Sequence, residues 1–88
     1  IIPTSRPSGI YTAQIMGIKS SAIFKGDTLV LNDEFEGKRI FEYKISNDGD
    51  IITCINVVTE KEYTNEFKYI KHKDYEIVVI GSTNYVKE

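Results

Sequence analysis

A lone cysteine, Cys54, excludes an internal disulfide and any cysteine-based zinc site within these 88 residues. A lone histidine, His72, leaves little material for acid–base or metal chemistry built on imidazole. Tryptophan is absent, so four Phe and six Tyr must supply the large core volume, and each tyrosine hydroxyl needs water or a partner. The two prolines both fall in the first eight residues, and the rest of the chain is free to pair its backbone. No run approaches the roughly 20 apolar residues of a membrane span, and no basic–apolar–small leader pattern is present. Neither sign of charge dominates: 11 basic and 13 acidic residues are well mixed, for a net charge of −2. That balance argues against nucleic acid or an anionic membrane as an electrostatically captured partner.

What is present is β-structure. Lys38 to Ile55 contains two strand-like runs joined by Asn47-Asp48-Gly49-Asp50. Phe41, Tyr43 and Ile45 alternate with Glu42, Lys44 and Ser46, so a pleated strand turns an apolar row one way and a polar row the other. Asp-Gly supplies the positive φ of a tight hairpin turn, and Ile51, Ile52, Thr53 and Ile55 resume the strand. The run is expected to continue through Asn56-Val57-Val58 to a polar turn at Thr59 to Glu62.

Similar runs fill the remainder. Ile1 to Ser8, with two Pro and two Ser, reads as a linker-like tail, and the gene product is expected to extend further upstream of Ile1. Residues 9–88 then form a single domain. Ile10 to Met16 is expected to turn Tyr11, Ala13 and Ile15 inward; Lys19 to Lys25, Ala22 and Phe24; Thr28 to Asn32, Leu29 and Leu31. Gly37 takes a left-handed position before the central hairpin. Tyr63 to Lys71 places Tyr63, Phe67 and Tyr69 opposite Glu66 and Lys68. Tyr75 to Ile80 is apolar on both faces apart from Glu76, as in a doubly covered strand. Gly81 to Asn84 turns the chain into Tyr85-Val86-Lys87.

About eight short strands with connections too short for parallel crossovers predict an all-β, antiparallel up-and-down meander. A small barrel is favoured over a strongly curved sheet, because pairing the first strand with the last removes both edges. A domain this short buries only about 60–65% of its unfolded surface, so the large side chains are committed to the interior.

Chemistry-bearing groups are few. His72 and Asp74 are close in sequence, but Lys71 and Lys73 flank them, and no further partner is in view for a base or a metal. Cys54 alternates with Ile52 and is expected in the core as a small hydrophobe. Asp33, Glu34 and Glu36, and separately Asp48 and Asp50, fall short of the twelve-residue calcium loop, and Asx turns account for Asp48 and Asp50. Phe67 to Lys73 interleaves aromatics with cations as single-strand nucleic-acid binders do, yet alternation puts Phe67 and Tyr69 on the face opposite Lys68. The residues therefore predict no catalytic group, no metal site, no cofactor and no nucleic-acid partner.

Gly9-Ile10-Tyr11, Phe24-Lys25-Gly26-Asp27, Gly37 with Phe41 to Ile45, Asp48-Gly49 with Ile52-Thr53, and Ile80-Gly81 with Tyr85 resemble a known group. It comprises the small lipocalin-like β-domains at the ends of surface-anchored proteins of anaerobic bacteria and archaea. Tyr11 stands where true lipocalins have the Trp of their glycine–any–tryptophan motif, and the chain is too short for their full barrel and helix. The resemblance implies a non-catalytic extracytoplasmic or cell-surface binding module, with membrane contact only through an upstream anchor. Its partner would be an unknown protein. The alternative it implies is a carrier or sensor of a small apolar ligand, lined by Tyr11, Phe24, Phe41, Tyr43, Phe67 and Tyr69 if a cavity exists. Absence of disulfides leans instead towards the cytoplasm, although exported proteins of anaerobes have no use for them. Association with further copies of the chain is compatible with either reading.

Overall fold

The computed structural model describes residues 6–88; Ile1 to Ser5, most of the linker-like tail, lie outside the described residues. Eight strands follow in order: β1 Gly9–Ile15, β2 Ile18–Lys25, β3 Thr28–Asp33, β4 Gly37–Ile45, β5 Ile51–Asn56, β6 Glu62–Lys71, β7 Glu76–Ile80 and β8 Thr83–Lys87. Each pairs antiparallel with the next, and β1 pairs with β8 to close a barrel. There is no helix among the described residues. The meander and its closure follow from alternating apolar residues interrupted by left-handed turns, of which Gly49 (φ 78°) and Gly37 (φ 71°) sit where the sequence places them.

Register shows how the barrel is tilted. Moving across the ladder from Tyr11, the directly opposed residues are Ala22 on β2, Leu31 on β3 and Arg39 on β4. Tyr11 is near the start of β1, at one end of the barrel, whereas Arg39 is near the start of β4, at the other. This stagger is the shear that a closed sheet requires. Size complements size along these rows: Tyr11 faces Ala22, and Phe24 faces Gly9. Gly9 has φ 104°, which L side chains rarely adopt, and a Cβ there would crowd Lys87 Cε at 3.3 Å, so a larger residue is strained where the first and last strands converge.

The interior is filled by side chains. Tyr11, Ala22, Leu29, Ile52 and Val78 are fully buried, with Phe24, Phe41, Tyr43, Cys54, Phe67 and Tyr85 nearly so. Rings of Tyr11 and Phe24 meet edge to face at 5.6 Å, and those of Phe24 and Tyr43 at 5.3 Å. Such contacts add about 0.5–1.5 kcal/mol each beyond the area they bury.

Four local expectations are corrected. Ile15 is exposed because β1 has run past the barrel's end there. β5 stops at Asn56, whose Oδ1 accepts the amides of Val58 and Thr59, so the two valines form a turn. Tyr63 is half exposed at the end of the long β6. Outside β7, Ile77 and Val79 have no second layer over them, and Glu76 lies on the inward side with Val78.

Truncating Phe24 removes the ring that both Tyr11 and Tyr43 touch. Phe24→Ala should cost about 3–5 kcal/mol, a large part of the roughly 4–13 kcal/mol expected for a domain of this length. Urea unfolding followed by tyrosine fluorescence checks this, and a loss below about 1 kcal/mol would contradict the filled interior.

Candidate functional site

Strand direction divides the barrel into two unlike ends. At one end lie the β2–β3, β4–β5 and β6–β7 turns together with the start of β1 and the finish of β8; at the other lie the remaining four connections.

The first end is closed by tyrosines. Tyr11 and Tyr69 both donate to Glu76 Oε2, at 2.8 and 2.9 Å, and Lys87 Nζ stands 3.6 Å from the same oxygen. Lys87 also lies 5.9 Å from the centre of the Tyr11 ring. Tyr43 donates to the Gly26 carbonyl at 3.0 Å, and Arg6 lies over its ring while binding Asp27. Pro7, beside Arg6, is buried. The Tyr11 hydrogen bond, then that of Tyr69, then the Lys87 charge hold the Glu76 carboxyl below the ordinary glutamate value. Burial, reinforced by the bond to Glu76, pushes both phenols upward. Two donors and a cation around one carboxylate make a structural plug. Nothing in the alternation of β7 distinguishes this Glu76 from a solvated residue, so its inward role was not evident from sequence.

The second end is open. A cup of about 330 Å³ has Leu29, Leu31, Phe41, Cys54 and Ile80 on its apolar side. Its polar side is formed by Glu36, Arg39, Asn56, Tyr63 and Asn65. The Tyr63 ring meets the edge of Phe41 at 6.1 Å. Arg39 is neutralised where it stands, by Asp33 at 2.7 Å and Glu36 at 2.6 Å. Asp33 also accepts the amides of Phe35 and Glu36. The Glu36 amide above all, then that of Phe35 and the Arg39 charge, keep its carboxyl below the usual aspartate range. A second hollow of about 290 Å³, lined by Ile15, Ile18 and Phe35, shares Asp33 and Glu36 with its surroundings.

The six residues expected to line a cavity are distributed between these regions. Tyr11, Phe24 and Tyr43 pack against one another, and Phe41 borders the cup. Phe67 and Tyr69 edge a hollow of about 510 Å³ beside the Asp48–Asp50 turn, at the tyrosine-lined end.

The chemically capable residues stay apart. Cys54 is buried beneath the cup, and burial pushes its thiol up to about 11, away from nucleophilic thiolate. His72 lies at the opposite end, stacked on Tyr75 at 4.6 Å, with Nδ1 accepting the Asp74 amide. Among the described residues no three His, Cys, Asp or Glu side chains are grouped to hold a metal ion. Asp48 and Asp50 do not make the Asx turns expected of them. Ser46 takes that part, its Oγ accepting the amides of Asp50 and Ile51. Phe67 is buried while Lys68 is exposed, which puts the aromatic and cationic features of that stretch on opposite surfaces.

The Glu76 plug sets a pH dependence. A carboxyl held below its ordinary 4.5 in the fold stabilises the protein above that value, and the contribution is lost as pH falls through the folded pKa. Glu76→Gln should therefore cost about 1–3 kcal/mol at neutral pH. Its stability curve should converge on that of the unsubstituted protein once pH has fallen through the lowered folded pKa of Glu76. Equal stability at pH 7 would show that the plug contributes nothing.

No family model matches the chain, and neither the curated proteins nor the solved structures compared with it provide a match.

Proposed function

We propose that this barrel is a non-catalytic binding module whose open end is its contact surface. The observation carrying the reading is the apolar-floored cup at the second end of an otherwise filled barrel. Around that cup the connections expose large apolar side chains: Met16 is 96% exposed, Val58 84% and Phe35 80%. Clustered apolar exposure on a small domain is characteristic of an interaction surface. Separation of His72 from Cys54, and the engagement of Asp33, Glu36 and Glu76 in structural bonds, support a role without catalysis.

A second reading, a carrier or sensor of a small apolar ligand, is favoured by one feature only. At about 330 Å³ the cup is at the small end of ligand-pocket volumes. Titration of isotopically labelled protein with decanoate separates the two. Under the contact-surface reading the resonances of Tyr11, Phe24 and Tyr43 stay fixed and any shifts near Leu31 and Phe41 fail to saturate. Saturable displacement of the interior resonances would establish a carrier.

The setting we propose is extracytoplasmic, supported by the resemblance to surface-anchored domains. Protease shaving of intact cells should release the domain, and protection until lysis would place it in the cytoplasm.

A further inference from the structure

Closure leaves no edge strand, so a contact made by the side of the barrel has to use the face of its wall. On that face Ile10, Ile23, Val30 and Ile40 lie directly opposite one another across β1 to β4. Val57 extends the row, its amide donating to the Ile40 carbonyl at 3.0 Å. Ile10 and Val57 are each 46% exposed, and Ile40 is 38% exposed. Two residues to one side of the row, along the strands, stand Thr12, Ser21, Asn32 and Lys38; two residues to the other stand Lys25, Thr28 and Glu42. Lys25, Lys38 and Glu42 are exposed, and none makes an ion pair with a described residue. A hollow of about 440 Å³ lies on the first side, over Thr12, Ser21 and Asn32. Asp33, Glu34 and Glu88 border it against the single cation Lys19.

We propose that this wall binds a second copy of the chain, about a two-fold axis running along the aliphatic row. Such an axis lays each strand antiparallel on its own copy, so a residue two places beyond the row meets the partner's residue two places before it. On β4, Glu42 then meets the partner's Lys38. On β2, Lys25 meets the partner's Ser21 and enters the hollow there, whose rim is mainly acidic. On β3, Thr28 meets the partner's Asn32. Each contact occurs twice, and no like charges coincide. The outer wall of a barrel is convex and falls away from the row; Lys25, Lys38 and Glu42 are the side chains long enough to bridge the widening gap. An axis turned by a right angle, along β3, would bring Lys25 to Glu42 but set hollow against hollow and leave Lys38 on Ser21. The shorter outward row Ile70, Ile77 and Val86 on β6 to β8 lacks this self-complementarity, since the same operation lays Lys68 on His72. None of the residues of the proposed interface lines the cup, so both cups stay open. A convex contact of this width falls short of the roughly 1,200 Å² of a stable interface, so the dimer exchanges with monomer.

Sedimentation and concentration-dependent shifts of labelled protein, from about 1 μM to about 1 mM, test this over the range of weak affinities. A dimer is expected, with shifts at Ser21, Ile23, Val30 and Ile40. Both Lys38 and Glu42 are exposed, so Lys38→Glu and Glu42→Lys should each keep the fold and weaken the dimer at least about tenfold by setting like charges together. Mixing the two variants, or combining both changes in one chain, should restore it, which damage to the fold cannot do. A protein that stays monomeric throughout, with no shifts on the row, overturns the proposal. Restoration by Lys25→Glu with Glu42→Lys instead overturns the axis. Shifts confined to Met16, Phe35 and Val58 place self-association at the open end and overturn the wall as interface. Insertion of the row into phosphatidylcholine vesicles, without dimer, overturns it in favour of a lipid surface.

Discussion

Closure of the barrel depends on a short seam. β1 and β8 share only the pairs Tyr11 with Lys87 and Thr12 with Val86, extended by the Glu88 amide donating to the Ile10 carbonyl. Every other neighbouring pair of strands is matched over at least four positions. Side chains reinforce what the backbone leaves thin. Tyr11 from β1, Tyr69 from β6, Glu76 from β7 and Lys87 from β8 meet around a single carboxylate oxygen, so the group that seals one end also fastens the seam. Without it the sheet would present two edges to water, with the attendant risk of pairing to other chains.

The division of labour between the ends follows from that fastening. The hydroxyls of Tyr11, Tyr43 and Tyr69 and the charges of Glu76 and Lys87 are drawn to the sealed end, where they satisfy one another. Tilt carries the opposite ends of the same rows to the mouth, where Arg39 replaces an aromatic ring and is held aside by Asp33 and Glu36. The apolar floor there is left uncovered. Asp33, Glu36 and Arg39 at the mouth and Glu76 and Lys87 at the sealed end are thus engaged in structural bonds, and the mouth is distinguished by what it fails to cover.

Alternation made most of this readable in advance. Phe41 and Tyr43 against Glu42 and Lys44, and Phe67 against Lys68, have the faces their order dictates, and Asp48-Gly49 turns where a positive φ is needed. Period-two reasoning names a face but not a depth. Ile15 and Tyr63 share the inward side yet protrude beyond the barrel, and Glu76 shares it and is sealed in. Depth is set by stagger between strands, which is a property of pairs and is invisible in any one of them. Turn chemistry had the same weakness: Ser46 and Asp33 each make the side-chain-to-amide bonds, while Asp48 and Asp50, with the same local credentials, do not. The cup required both pieces of missing information, and so only Phe41 among its residues was foreseen as lining.

Gly9 and Lys87, the outermost positions of the first and last strands, nearly touch at the sealed end. The chain thus enters and leaves the barrel at its base, on the side opposite the cup, like the stem of a goblet. The rim is therefore left clear of the chain's own entry and exit.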